Sequence, residues 1–148
     1  MQRVLFVCTG NTCRSPMAAA ILKNQNIPNV EVKSAGIYAA NGNEASEQAK
    51  QVLTENKIEH NHQSAALTGS EVGWASLILT MTAVHKAAIL DRFPEAAGKT
   101  FTLKEFAREE DELDVADPFG GDVERYRTTF RQLEALIQAA IDRLKSSS

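Results

Sequence analysis

The sequence predicts a single α/β domain in which a parallel sheet carries helices on both faces. Short apolar segments of strand length alternate with segments of helical periodicity, and the links between them are short, a pattern typical of parallel sheets with helical crossovers. The 148 residues are 43% hydrophobic and 24% charged, which suits one domain over residues 1–148 with its own core. No internal repeat or low-complexity segment interrupts the pattern.

Periodicity predicts two strands and two helices in the first half of the chain: strands over residues 4–7 and 30–34, and helices over residues 16–26 and 45–56. The first helix is expected to start at Ser15, a good N-cap, with Pro16 at its first position. The second strand is expected to end at the breaker Ala35-Gly36.

The second half continues the alternation, with strands over residues 76–81 and 100–103. Thr68-Gly69-Ser70-Glu71 predicts a capping box that opens a short helix, and Thr82 is expected to cap another helix that reaches about Arg92. The last helix carries an apolar stripe of 3.6-residue period, formed by Tyr126, Phe130, Leu133, Ile137, Ala140, Ile141 and Leu144. Residues 146–148 are expected to fray.

Composition excludes several classes of protein. The net charge of -3 gives no reason to expect nucleic-acid binding, and no stretch approaches the roughly 20 apolar residues of a membrane span. The apolar N-terminal segment is too short for a signal peptide. The two cysteines, Cys8 and Cys13, share one loop, whereas a secreted disulfide framework would use more of them and spread them out. We therefore expect a reducing, cytoplasmic location.

The segment Cys8-Thr9-Gly10-Asn11-Thr12-Cys13-Arg14-Ser15-Pro16 joins the first strand to the first helix. Its five residues between Cys8 and Arg14 can wrap once around a tetrahedral oxyanion with backbone N–H groups pointing inward. A helix N-terminus favours both the anion and a reactive thiolate, and an arginine can bind two phosphoryl oxygens at once. Each of these residue types is ordinary by itself, but the combination predicts a nucleophilic phosphatase site.

Displacing phosphate also requires a proton donor, and the turn-rich segment that begins at Asp117 is the best candidate. It follows the acidic stretch 109–114 and precedes the last helix. Pro118 restricts the local backbone, and Phe119 can wall off a pocket beside the acid. The alternative is that Asp117-Pro118 only opens a turn.

The spacing of Cys8 and Cys13 also predicts redox control. An accessible thiolate with a second thiol across a tight loop is typical of a reversible sensor. The alternative is that Cys13 is a buried packing residue.

With these motifs in place, the chain resembles the low-molecular-weight protein tyrosine phosphatase family over nearly its whole length. The residues that carry the resemblance are Cys8-x5-Arg14-Ser15-Pro16, Ser34-Ala35-Gly36, a histidine near position 62, the strand 77–81 and Asp117-Pro118-Phe119. The resemblance implies a four-stranded parallel sheet, Cys8 as nucleophile, Arg14 as phosphate clamp and Asp117 as general acid and then base. It also implies a phosphocysteine intermediate, phosphorylated protein substrates, inorganic phosphate as product, and neither metal nor cofactor.

The resemblance further implies a support network behind the loop at Asn11, Ser15, Ser34 and His62. Asn11 would adopt a left-handed backbone conformation, and Ser15 would hydrogen-bond the Cys8 sulfur. For His62, the alternative is a partly buried structural histidine. The backbone of residues 9–14, with Thr9, Gly10, Asn11, Thr12 and Cys13, would bind the phosphoryl group.

Within the family, the chain is most similar to bacterial protein-arginine phosphatases. Thr12 stands where the tyrosine phosphatases usually carry a larger aliphatic residue, and a single Phe119 precedes Gly120-Gly121 in place of paired aromatics. A small polar side chain at the pocket rim suits a planar guanidinium with N–H groups beside the scissile bond. Thr12 could otherwise merely stabilise the loop through its hydroxyl.

The sequence leaves three alternative functions to consider. Phosphotyrosine could be the substrate of the same mechanism, since Phe119 could stack a phenyl ring as well as flank a guanidinium. Arsenate reductase chemistry relays electrons through additional cysteines, and the sequence has none beyond Cys8 and Cys13. A non-catalytic module that binds phosphorylated ligands would have no need of the nucleophile, clamp and acid together.

Overall fold

The computed structural model describes residues 2–108 and 114–146. Most of the predicted acidic stretch 109–114 and the last two residues of the predicted frayed tail lie outside the described residues. The strands are β1 (Gln2–Cys8), β2 (Val30–Gly36), β3 (Leu77–Thr80) and β4 (Thr100–Thr102). The helices are α1 (Arg14–Asn24), α2 (Glu47–Glu55), α3 (Gly69–Trp74), α4 (Ala83–Arg92), α5 (Leu103–Phe106) and α6 (Val123–Ser146), with a 3-10 helix over Pro94–Lys99.

The four strands form one sheet in the order β2-β1-β3-β4, and every pair is parallel. The predicted α/β class with a four-stranded parallel sheet is therefore confirmed. β1 and β2 each run further toward the carboxyl edge than the patterns indicated, and their register places Cys8 opposite Gly36. This pairing brings the end of β2 against the start of the predicted phosphate loop.

The sheet separates two apolar layers, because successive side chains of a strand point to opposite faces. Val4, Phe6 and Cys8 face the larger layer, which includes the buried stripe of α6. Leu5 and Val7 face the smaller layer beneath α3 and α4. Helices thus cover both faces, as the alternating pattern predicts.

The helix caps agree with the sequence at two positions and differ at a third. Thr68 forms the predicted capping box with Glu71, and the Thr82 side chain accepts the N–H of His85. Ser15, however, is not the N-cap of α1: the helix begins at Arg14, and its N-cap Cys13 makes no side-chain cap hydrogen bond. The prediction for Ser15 was wrong because its hydroxyl turns into the loop instead of back onto the helix.

A second capping box escaped the sequence patterns. Thr102 ends β4 and accepts the N–H of Glu105, whose carboxylate in turn accepts the N–H of Thr102. It starts the short helix α5 directly after β4 and so ends the strand before Leu103. Within residues 2–108 and 114–146, no helix is both long and apolar enough to cross a membrane.

Candidate active site

The Cys8 sulfur lies where β1 ends and where the loop toward α1 begins. It is buried, and it receives the backbone N–H of Asn11 at 3.3 Å. The Ser15 hydroxyl lies 2.9 Å from the same sulfur. Donors of this kind, beside the N-terminus of α1, stabilise negative charge on sulfur. Hydrogen-bond donors are therefore within reach of the sulfur that the sequence predicts to be the nucleophile.

Arg14 opens α1 and directs its guanidinium across the loop. The residue is only 5% exposed. One terminal nitrogen donates to the carbonyl of Val115 at 2.9 Å, and the other lies 3.5 Å from a carboxylate oxygen of Asp117. The carbonyl of Val115 orients the guanidinium, so Arg14 is already positioned at the site.

The segment that carries Asp117 is attached to the end of β3. The N–H of Val115 donates to the carbonyl of Met81 at 2.7 Å, and Asp114 accepts the N–H of Ala83 at 2.8 Å. Asp117 itself is about half exposed. Two anchors thus hold the predicted acid beside a loop that lies about a hundred residues earlier in the chain.

A cavity of about 230 Å³ lies between the loop and this segment. It is lined by Cys8, Thr9, Gly10, Thr12, Cys13, Arg14, Asp117 and Phe119. Phe119 is 75% exposed at its rim, and its N–H donates to Asp117 at 3.0 Å. The structure therefore brings together the four residues for which the sequence predicted the roles of nucleophile, clamp, acid and aromatic wall.

Asn11 is the centre of the network behind the loop. It is fully buried and has a left-handed φ of 58°, as expected. Its side-chain nitrogen donates to Ser15 at 2.8 Å and to Ser34 at 2.9 Å. Its side-chain oxygen accepts the N–H of Ala65 at 2.9 Å. These bonds satisfy a buried amide and offset the cost of an unfavourable backbone conformation.

His62 joins this network through the backbone of Asn11. Its Nε2 lies 2.5 Å from the Asn11 carbonyl oxygen, and a carbonyl can only accept, so Nε2 carries a proton. Burial lowers the pKa of His62, and the hydrogen bond to Asn11 partly opposes this shift. His62 thus lies within hydrogen-bond distance of Asn11, as its predicted place in the network requires.

Cys13 and Thr12 occupy the far side of the loop. The Cys13 sulfur is buried 3.2 Å from the hydroxyl of Tyr126, and burial together with Cys13 raises the pKa of Tyr126 to about 12. Thr12 is partly exposed at the cavity, and its hydroxyl lies 3.8 Å from the Cys13 sulfur. Cys13 therefore packs against α6 while it also lines the cavity.

His85 was missed by the sequence analysis. Its Nε2 lies 2.8 Å from the hydroxyl oxygen of Thr9, on the cavity wall. Burial, followed by the charge of Arg14, lowers the pKa of His85 to about 4. Nothing in its spacing distinguishes it from a core histidine, because its position at the site depends on how β3 pairs with β1.

Gly36 was assigned only as a strand breaker, yet it touches the loop. A Cβ at this position would lie 2.7 Å from the carbonyl oxygen of Thr9 and 2.9 Å from the N–H nitrogen of Asn11. The close approach of the two backbones therefore requires glycine here.

The chain is similar in sequence and in structure to known phosphatases. The family described as low molecular weight phosphotyrosine protein phosphatase matches residues 3–148. A protein-arginine-phosphatase of Geobacillus stearothermophilus is 55% identical over 144 residues, which are 97% of each chain. The structure of YwlE arginine phosphatase from the same organism has a TM-score of 0.96 at 53% identity and covers 99% of this chain and 95% of its own. A cysteine-to-serine mutant of YwlE with a phosphorylated active-site serine has a TM-score of 0.91 at 40% identity. It covers 97% of this chain and 96% of its own.

Proposed function

This chain belongs to the low molecular weight phosphotyrosine protein phosphatase family, and from that membership we propose that it hydrolyses phosphoarginine in proteins through a phosphocysteine intermediate. The observation that carries the proposal is the convergence of the Cys8 sulfur, the Arg14 guanidinium and the Asp117 carboxylate on one cavity. The arginine-phosphatase relatives support the choice of substrate.

In the first step, the Cys8 thiolate attacks phosphorus in line with the leaving nitrogen. The S–P bond forms as the P–N bond breaks, and Asp117 gives its proton to the guanidino nitrogen. Backbone N–H groups of residues 9–14 and the Arg14 guanidinium hold the charge on the phosphoryl oxygens. Because Arg14 is already oriented by Val115, little of this stabilisation is lost to rearrangement.

In the second step, Asp117 removes a proton from water, and the water oxygen attacks phosphorus. The P–S bond breaks, which releases inorganic phosphate and restores the thiolate. The exposure of Asp117 at the cavity mouth supports this role, since water reaches its carboxylate from solvent. The Ser15 hydroxyl beside the sulfur supports the thiolate as leaving group.

Thr12 and Phe119 support the choice of phosphoarginine over other phosphorylated residues. Thr12 lines its part of the cavity with a small side chain that carries a hydroxyl, which suits the N–H groups of a guanidinium. The exposed ring of Phe119 offers a planar surface on which a guanidinium can lie. That ring also favours phosphotyrosine as the second candidate, because it can stack a phenyl ring.

The physiological setting we propose is the cytoplasm. Cys8 and Cys13 are both free thiols, as a reducing compartment would keep them. The partners are phosphorylated proteins.

The test is parallel hydrolysis of phosphoarginine, phosphotyrosine and phosphoserine peptides of one sequence. We expect the highest kcat/KM for phosphoarginine. Preference for phosphotyrosine would replace the substrate but keep the mechanism, whereas turnover of none of the three would refute the function.

Matched variants test the roles within the site. We expect Cys8→Ser to abolish turnover while inorganic phosphate still binds, because backbone groups form most of the cradle. Asp117→Asn should leave residual turnover that is about 10²–10⁴-fold slower. Wild-type activity in the Cys8→Ser variant would refute the phosphocysteine mechanism.

A further inference from the structure

His85 and Thr9 form a contact at the cavity wall for which the proposed mechanism has no role. His85 belongs to α4 and is 6% exposed, while Thr9 is exposed at the start of the loop. The imidazole Nε2 and the Thr9 hydroxyl oxygen are 2.8 Å apart. Either atom can donate in such a pair, and which one does decides where the hydroxyl hydrogen points.

The other ring nitrogen of His85 indicates the tautomer. Nδ1 is buried and has no hydrogen-bond partner among residues 2–108 and 114–146. A buried N–H without an acceptor is rarer in proteins than a buried acceptor without a donor. The neutral ring therefore places its proton on Nε2 and leaves Nδ1 bare, so that Nε2–H donates to the Thr9 oxygen.

The charges around the ring are consistent with a neutral imidazole. Burial is the largest effect that opposes a positive ring, and the charge of Arg14 adds to it, while Asp114 and Asp117 favour a positive ring. Burial outweighs the two carboxylates and lowers the pKa of His85 to about 4. The ring thus stays uncharged and keeps a fixed tautomer near neutral pH.

A donated bond from His85 leaves the Thr9 hydroxyl hydrogen free. Thr9 lines the cavity with Cys8 and Arg14, where phosphoryl oxygens would accept it. The opposite arrangement would turn oxygen lone pairs toward an anion and repel it. We propose that His85 is a positioning residue whose Nε2–H holds the Thr9 oxygen and directs the Thr9 hydroxyl hydrogen to the phosphoryl group.

This inference rests on the proposed function, because it assumes that the loop binds a phosphoryl group. Its first test does not need activity. Nitrogen-15 NMR of the imidazole rings distinguishes a protonated from a bare Nε2 in the wild-type protein, both free and with inorganic phosphate. We expect His85 as the Nε2–H tautomer in both states. An Nδ1–H tautomer would overturn the proposal.

The second test measures the contribution of the hydroxyl. Thr9→Val removes it at constant shape, and we expect inorganic phosphate binding and kcat/KM to fall by about tenfold, as for the loss of one bond to a charged group. His85→Leu should cause part of this loss. His85→Gln, which can present an amide N–H in place of Nε2–H, should recover activity relative to His85→Leu.

The double variant separates positioning from general damage. In the Thr9→Val background, His85→Leu should cause no further loss, because the hydroxyl that it directs is already absent. Equal losses in both backgrounds, or phosphate binding that Thr9→Val leaves intact, would overturn the proposal. If the wild-type protein binds no inorganic phosphate at all, the proposed function fails first. If His85→Leu does not fold, the tautomer of His85 in the wild-type protein still tests the proposal.

Discussion

Gly36→Ala should disturb the active site by displacing the backbone of the phosphate loop, although Gly36 contacts no substrate. Its added Cβ would lie 2.7 Å from the Thr9 carbonyl oxygen, 2.8 Å from the Ala39 Cβ and 2.9 Å from the Asn11 nitrogen. Two of these three atoms belong to the backbone of the phosphate loop, which cannot rotate away as a side chain can. Moreover, Gly36 is held in place, since its N–H donates to Ala65 and its carbonyl accepts from Leu67, both at 2.9 Å.

The magnitude follows from these distances. Relief of contacts below 3.0 Å requires a shift of several tenths of an ångström in the loop, and overpacking of this kind costs about 1–3 kcal/mol. For a chain of this size, each kcal/mol lowers Tm by about 2–4 °C. Because a displacement near 1 Å of the groups that position substrate can cost about 10²-fold in rate, a shift of several tenths of an ångström should lower the rate by a smaller factor. We therefore expect activity to fall by more than stability alone would explain.

The assay combines thermal unfolding with kcat/KM on a phosphoarginine peptide at a temperature where the variant is fully folded. Gly73→Ala is the matched control, because a Cβ there meets nothing within 4 Å and the residue lies in α3, where alanine is favoured by about 0.5–1 kcal/mol. A Gly36→Ala protein with wild-type Tm and kcat/KM would refute the argument that this close approach sets the loop.

Three further predictions concern selectivity, redox control and pH. Thr12→Ile should lower phosphoarginine turnover sharply and raise phosphotyrosine turnover relative to it in paired assays, and an equal change in both would show that Thr12 is not the selector. Peroxide should oxidise Cys8 to a sulfenic acid, with which the Cys13 thiol condenses, releasing water and forming a disulfide that thiol reductants reverse. Cys13→Ala should then recover less activity than the parent, and equal recovery would reject the sensor. Burial lowers the pKa of His85 to about 4 and also lowers the pKa of His62. Below about pH 6.5, both histidines therefore bind protons in the unfolded chain more readily than in the native protein. The unfolding free energy in urea should thus fall from pH 6.5 toward 4, and His85→Gln should reduce the fall; an unchanged slope in that variant would contradict this assignment.

The local features of the site were predictable because they depend on residues that are close in sequence. Cys8 ends an apolar strand, and Arg14 opens a helix after five intervening residues, so chain connectivity alone brings thiol and guanidinium to one loop. The left-handed conformation at Asn11 is local as well. The caps at Thr68 and Thr82 depend on bonds that span three residues or fewer.

At Ser15, a tertiary contact overrides the local sequence pattern. A serine before proline at a helix start is typical of an N-cap, yet its hydroxyl lies beside the Cys8 sulfur and accepts from Asn11. The polar groups gathered behind the loop compete with the helix end for the same hydroxyl. These polar groups come together only once the chain has folded, so the sequence pattern alone assigned the Ser15 hydroxyl to the wrong hydrogen bond.

The sequence by itself therefore determined the parallel α/β class, the order of its strands and longer helices and the loop that holds Cys8 and Arg14, because periodicity and short-range spacing encode them. Only the tertiary structure decided that His85 reaches Thr9 across 76 residues and that Gly36 touches the same loop. These contacts depend on which strands become neighbours and in what register. The β2-β1-β3 order brings both strand ends against one loop, a result of packing between distant segments that no local spacing records.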